Sequence, residues 1–271
     1  MRAATMEEIT TTARRLLVEQ GPDAASLRAI AREMGMTAPG LYRYYSSREE
    51  LLRHVVASMF RELAGDIRGA IEAAGPKPVP GFAGDASSRT HLAMKLVAAC
   101  REFRRWALNH KDEFALLFGV PVPGLDDGRF DIAEQCALEF AGTFYVLFLE
   151  LWNASRFPVP ADADIDPVLR RQLRRFGEKL RTEAPDGAIL VFLRCWTLLY
   201  GAVSMEVFGH LGFALDDPAP MFELTLGDLA GLVGLEYPLD VQLLSNADVS
   251  AVRFLLSSRG LRSGGPADHN Q

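Results

Sequence analysis

Apolar residues recur along this chain three or four apart, and no segment shows the strict alternation of a half-buried strand. Ile9, Ala13, Leu16 and Leu17 trace the first helical stripe, and Thr5 followed by Glu8 forms a capping box expected to start that helix. Gly21-Pro22 stops it. Ser26 is the next expected N-cap, ahead of Leu27, Ile30, Ala31 and Met34 on one face of about two turns. Gly35 can supply the positive φ of a helix end. Thr37 then caps a third helix, with Pro39 tolerated in its first turn, that lasts only to about Tyr44. Ser47 with Glu50 repeats the capping box, and Leu51, Leu52, Val55, Met59, Leu63 and Ile67 carry a long helix to about Ala74.

Beyond it the composition changes. Gly75 to Gly84, GPKPVPGFAG, holds three prolines and three glycines, which fits a linker or long loop and neither a helix nor a central strand. Helical periodicity resumes at about 87–118, 128–155, 166–183, 187–212 and 218–235. The final RGLRSGGPADHNQ is polar and glycine-rich, so residues 259–271 are expected to be a disordered tail. The fold class expected is all-α, divided into an N-terminal unit over residues 1–60 and a helical unit over 61–258.

Composition narrows the choice of partner. The chain has 271 residues and is 49% apolar, enough for a substantial core. Cys100, Cys136 and Cys195 stand far apart with no CxxC pair, which argues for a reducing cytoplasm and against a disulfide framework or zinc cluster. The first residues, MRAATMEEITTTARR, are charged where an export signal needs an apolar run. Ala188 to Met205 is about long enough to span a bilayer, but Arg194 near its middle makes a core helix the expectation, and no membrane partner. The net charge is −6, unevenly spread: residues 1–61 carry +2 and the remainder −8, so only the N-terminal part favours phosphate.

Two helices of about two turns, joined by a tight glycine turn and preceded by a supporting helix, are the parts of a helix-turn-helix. Its second helix enters the major groove N-terminal end first. Here that places Ala38, Pro39, Gly40 and Arg43 at base edges: small side chains let the backbone approach, Ala38 can touch a thymine methyl, and Arg43 can reach guanine O6 and N7. Thr37 and the outward hydroxyls of Tyr42 and Tyr44 suit phosphate, as does Ser26 at the start of the preceding helix, while Arg28 fits either a phosphate contact or, like Arg32, a solvated helix face. Tyr45 is expected in the core through its spacing from Leu41. Arg48 at a helix start opposes the helix dipole, which a phosphate contact would explain.

Read as a unit, SLRAIAREMGMTAPGLYRYYSSREELL resembles the TetR family of transcriptional regulators. The resemblance rests on the Ser-x-x-x-Ile-Ala start, the Gly-Met-Thr turn, the Leu-Tyr-x-Tyr-Tyr helix and the Arg-Glu-Glu-Leu-Leu that follows. It implies phosphate contacts at Thr37, Tyr42, Tyr44 and Arg48, and bases facing Ala38, Pro39, Gly40 and Arg43. Arg48 stands where the family usually has lysine and Tyr44 where it often has histidine, and both keep donors. A basic N-terminal arm is lacking, since only Arg2 precedes Glu7 and Glu8.

One such unit holds DNA weakly, so a homodimer on a double-stranded, palindromic operator is expected. The resemblance implies that C-terminal helices make the dimer. The segment 187–212 is the candidate, with Ile189, Leu193, Trp196, Tyr200, Val203 and Val207 in a stripe and Gly201, Ala202 and Ser204 allowing close approach, beside Met221 to Leu235. Periodicity alone fits these helices equally well to one subunit's core.

Between reader and interface lies a dense set of aromatic residues. Trp106, His110 and Phe114 are spaced by four, with Phe118, Phe144, Tyr145, Phe148 and Trp152 beyond and Trp196 and Tyr200 further on. They fit either a packed core or an apolar cavity with a few polar handles. WALNHKDEFALLFGVPVPG and WTLLYGAVSMEVFGH resemble the ligand-binding part of a TetR subgroup marked by Trp, His and Gly positions, which implies a small, mostly apolar or aromatic effector that releases a repressor from its operator. The helix over 47–74 is the natural lever. No cofactor is implied. The run RRQLRRFGEK reads as a solvated face. Competing readings are an all-α enzyme or small-molecule-binding protein with a vestigial helix-turn-helix. Of these, the enzyme lacks support, because His54, His91, His110, His210 and His269 form no HExxH or paired metal motif and no GxSxG is present.

Overall fold

The computed structural model describes residues 2–21, 25–74, 85–119, 132–235 and 237, and among them there are helices and no strands. In chain order these are α1 (Arg2–Gln20), α2 (Leu27–Glu33), α3 (Ala38–Tyr42), α4 (Arg48–Ala73), α5 (Asp85–Asn109), α6 (Lys111–Phe118), α7 (Ile132–Ser155), a 3₁₀ turn (Asp162–Asp164), α8 (Pro167–Leu180), α9 (Asp186–Val207) and α10 (Ala219–Leu232). The all-α expectation holds. The proline-rich segment Gly75 to Gly84 and the tail 259–271 lie outside the described residues.

The caps read from sequence are the caps used. Ser26, Thr37 and Ser47 each sit in extended conformation and accept a hydrogen bond from the backbone N–H three residues on. Thr5 is the exception: α1 begins at Arg2, leaving Thr5 inside the helix. Ala3 and Ala4 have the highest intrinsic helix propensity, and that carries the helix back past the capping box. The periodic stretch 87–118 divides at His110, whose φ of −130° and ψ of 52° leave the helical region. Its imidazole Nδ1 lies 3.0 Å from the Trp106 carbonyl, to which the His110 N–H also donates at 2.9 Å, so side chain and backbone crowd one acceptor and the helix kinks. Helix α9 stops at Val207, short of residue 212, because Gly209 takes a φ of +69° and the His210 N–H closes on the Met205 carbonyl at 2.8 Å.

The chain forms two compact units, Met1–Val79 with Lys95–Leu149, and Pro80–Met94 with Glu150–Gln271. In the first, Ile9, Ala13, Leu16 and Leu17 of α1 meet Leu27, Ile30 and Ala31 of α2, Leu41 of α3, and Leu51, Leu52, Val55 and Met59 of α4. Tyr45 joins them at 1% exposure, its hydroxyl 3.1 Å from Thr10 Oγ1, so the buried ring keeps a polar partner. Each of the Leu, Ile, Val and Met side chains removed from water contributes about 1.5–3 kcal/mol, which holds α3 against the other three helices.

In the second unit α8 packs on α9 through Leu173 and Ile189, joined by Ile165 just ahead of α8. Gly187 permits this start to α9: a Cβ there would fall 2.1 Å from the Pro160 carbonyl oxygen. Helix α10 lies against α9, with Phe222, Leu226 and Leu229 buried as are Leu199, Val203 and Val207. This corrects part of the stripe expected at a dimer contact, of which Leu193, Trp196 and Tyr200 are half-buried. Ile189, Val203 and Val207 face the interior of their own subunit, while the outward apolar positions of α9 are Leu198 and Met205. By length and composition α9 could cross a membrane, but Arg194 is exposed on it and a third of its apolar window is buried within the protein.

Candidate functional site

The reader is built from three short local decisions. Gly35, at a φ of +64°, turns the chain out of α2, and the Met36 N–H closes the turn on the Ala31 carbonyl at 2.8 Å. Thr37 Oγ1 then accepts from the Gly40 N–H at 3.2 Å, and a Cβ on Gly40 would approach that oxygen to 3.1 Å, so only glycine leaves the cap uncrowded. Leu41, fully buried, and Tyr45 pin the inner face of α3.

The opposite face is open. Thr37, Pro39, Tyr42 and Arg43 are exposed, Tyr42 to 52%, and Ala38, Gly40 and Tyr44 are half-buried. Ser26 is half-buried as the cap of α2, and Arg28, two residues on, is exposed. Arg48 has a structural partner that sequence reasoning missed: its Nε donates to the Ala25 carbonyl at 3.2 Å, tying the start of α4 to the approach of α2. Arg2 was also missed as a positioning group. Because α1 begins early, its guanidinium lies 5.9 Å over the Tyr44 ring. The Glu50 carboxylate accepts from the Ser46 hydroxyl at 2.6 Å and the Ser46 N–H at 2.7 Å, and these bonds hold it below the usual carboxylate range.

Behind the reader, Arg14 of α1 joins two other helices. It donates to Glu62 of α4 at 2.5 and 3.3 Å and to Glu113 of α6 at 3.2 Å. Burial lowers the Arg14 pKa, but hydrogen bonds and charge from the two carboxylates outweigh it and the net shift is upward. Glu62 is held below its ordinary value, first by the Arg14 hydrogen bond. His110 Nε2 is 3.8 Å from Glu62 Oε1, and its ring stacks on Trp106 at 4.8 Å. The buried Trp106 indole N–H helps depress Glu62 yet has no partner at hydrogen-bonding geometry.

Breaking this junction should be measurable. The pair is neither fully buried nor fully exposed, so Arg14→Ala is expected to lower stability by about 1–3 kcal/mol, between the values for surface and buried ion pairs. Since the folded-state pKa of Glu62 is depressed, its contribution is present above the unfolded value of about 4.3 and lost as pH falls through the folded one. The gap between the thermal melts of the two proteins should therefore narrow as pH falls below about 4.3. A gap independent of pH would assign the loss to packing instead.

The aromatic candidates fall into separate groups. Phe114, Phe118 and Phe144 meet Phe60, Phe103 and Phe140 in one cluster, with centroids 4.9 to 6.2 Å apart and mostly tilted or edge-on. Phe114 and Phe144 are buried, whereas Phe118 is half-buried. Tyr145 stacks on Phe148 at 6.3 Å, both buried. Trp152, Trp196 and Tyr200 belong to the second unit, where Trp152 meets Phe157 edge-on at 5.0 Å beneath the Arg156 guanidinium, and Trp196 stacks on Tyr200 at 6.1 Å.

Comparison with known proteins decides the family. Residues 9–55 match the model of bacterial regulatory proteins of the tetR family, and residues 96–229 that of the tetracyclin repressor-like C-terminal domain. The HTH-type transcriptional regulator Rv1816 of Mycobacterium tuberculosis and Mb1846 of Mycobacterium bovis are each 30% identical over 224 residues, covering 80% of this chain and 86% of theirs. The chain belongs to the TetR family.

As a TetR-family protein it is a DNA-binding transcriptional regulator. Its helix-turn-helix and helical C-terminal part are those of the family. The crystal structure of the protein SCO4313 superposes with a TM-score of 0.63 at 27% identity, over 85% of this chain and 97% of the other. That of a tetR-family transcriptional regulator from Streptomyces coelicolor, 15% identical over 93% and 88% of the two chains, shares the fold at 0.51. All ten reader candidates, Ser26 to Arg48, fall inside the N-terminal match, and all ten aromatic-region candidates, Trp106 to Tyr200, inside the C-terminal one.

Proposed function

We propose that this TetR-family regulator is a cytoplasmic repressor, held on a palindromic operator as a homodimer and released by a small, mostly apolar or aromatic ligand. The observation that carries the reading is α3: anchored by Leu41 and Tyr45, it turns Tyr42 and Arg43 outward. We assign base contact to Ala38, Pro39, Gly40 and Arg43, and phosphate contact to Thr37, Tyr42, Tyr44 and Arg48 with Ser26 and Arg28. Residues 1–60 form the reader, and residues 61–258 bind effector and partner.

The effector is placed near Trp106, His110, Phe114, Phe118, Phe144, Tyr145 and Phe148. In support, His110 stands at the kink between α5 and α6 with its ring stacked on the buried Trp106. A ligand that shifts His110 would move Glu62 on the lever helix α4 and Arg14 on α1, biasing the dimer between two spacings. The test is release: fluorescence anisotropy of labelled upstream DNA, screened against aromatic ligands, should fall with the effector, and loss of response in His110→Ala with binding retained would support the site.

The dimer reading is supported by α9 and α10, where Leu198, Met205 and Met221 are exposed around an open groove of about 260 Å³ lined also by Gly201, Ala202 and Phe222. Scattered apolar residues need no partner, but a grouped patch does. Leu198→Asp with Met205→Asp is expected to give a folded monomer by light scattering. Operator affinity should then fall at least about 10³-fold, toward non-specific binding. A dimer of unchanged affinity would remove this face from the interface.

A further inference from the structure

The face RRQLRRFGEK, expected from sequence to be merely solvated, contains a built feature. Arg170, Arg171 and Arg174 of α8 line an open cleft of about 380 Å³ with Asp162, Ile165 and Pro167. Two of these arginines reach Asp186, from the first turn of α9, the one buried charged side chain among the described residues. Its Oδ2 accepts from Arg170 Nε at 3.1 Å and from Arg174 at 3.3 Å. Arg170 also pairs with Asp162.

A buried carboxylate needs a cation beside it, and here it has two, which leaves positive charge to spare. Arg170 is neutralised from both sides. Arg174 commits a single N–H to Asp186, keeps its side chain 60% exposed, and has the rest of its five donors available. Arg171, beside it, has no hydrogen bond or ion pair among the described residues. A solvated arginine costs side-chain entropy to order, whereas Arg174 is already held, and Ile165 and Pro167 give the cleft an apolar wall.

We propose that this cleft binds a small organic oxyanion, a carboxylate or phosphate ester, with its charge between Arg171 and Arg174 and its apolar part on Ile165 and Pro167. A large polyanion is disfavoured, because residues 162–186 hold six acidic and six basic residues and present no net field beyond the cleft. A compact anion senses only the local excess. Since Asp186 opens α9, an occupied cleft fastens α8 to the helix that carries Leu198 and Met205. The site is distinct from the aromatic region of the first unit.

The test is calorimetric titration of the full-length protein with benzoate, phenyl phosphate and inorganic phosphate at about 50 mM ionic strength. Saturable binding of benzoate or phenyl phosphate is expected with a Kd of about 0.1–1 mM, inorganic phosphate being several-fold weaker for want of an apolar part. Which of the first two binds more tightly distinguishes carboxylate from phosphate. Arg171→Ala, which removes a side chain with no structural partner, should weaken binding about tenfold with an unchanged melting temperature, and Arg174→Gln at least as much. Binding that Arg171→Ala leaves intact, or heats that sodium chloride reproduces at matched ionic strength, would overturn the proposal. So would a duplex without operator sequence whose binding Arg171→Ala abolishes, since the occupant would then be nucleic acid.

Discussion

Phe103→Ala is expected to destabilise the protein by about 3–5 kcal/mol, the range for truncating a fully buried aromatic side chain. Its ring lies at the centre of the cluster, 5.7 to 6.2 Å from the rings of Phe114, Phe118, Phe140 and Phe144, and so joins α5, α6 and α7. Removing it forfeits the transfer of the ring from water and leaves a void that three helices cannot jointly fill. In urea unfolding the midpoint should drop with little change in slope, and the melting temperature should fall by about 10 °C or more. A loss under about 1 kcal/mol would mean the rings are loosely packed, which favours a ligand cavity at Phe114, Phe118 and Phe144 over a filled core.

The second large effect concerns the reader. A bidentate arginine contact to guanine discriminates by about 1–3 kcal/mol, and the proposed two-fold dimer would lose it twice, so Arg43→Ala should weaken operator binding by about 30-fold to 10⁴-fold. The loss should concentrate at one base position in each half-site, seen as relaxed preference there when that position is varied. Tyr42→Phe removes only the hydroxyl proposed to contact phosphate, about 0.5–1.5 kcal/mol per copy, and should weaken all sequences alike. Both side chains are exposed, so melting temperatures should not move. Arg48 behaves otherwise. Its Nε also supports the Ala25 carbonyl, so Arg48→Ala is expected to lower both affinity and stability. Equal losses at every operator position for Arg43→Ala would assign that residue to phosphate.

The reader was legible because it is made locally. Ser26, Thr37 and Ser47 cap helices with their own nearest N–H groups, and the four-residue spacing from Leu41 to Tyr45 sets a shared face. What sequence missed depends on distance or on competition. Arg14 meets partners 48 and 99 residues away, and neither spacing leaves a periodic trace. The kink at His110 arises from a side chain reaching its own helix, which an unbroken apolar pattern conceals. The outward face of α9 was misread because it is apolar nearly all round, and only the packing of α10 and α8 shows that Ile189, Val203 and Val207 turn inward. Arg2 over Tyr44 depended on α1 starting before the capping box.

The most direct test is the salt dependence of binding between the full-length protein and the DNA upstream of its own gene, measured beside a Tyr42→Ala/Arg43→Ala double variant. The structure predicts that the logarithm of affinity falls linearly with the logarithm of salt, by about 10³-fold or more between 50 and 200 mM, and that the double variant sinks to non-specific binding throughout. Operator affinity indifferent to salt, or unchanged in the double variant, would contradict the docking of α3 in the groove.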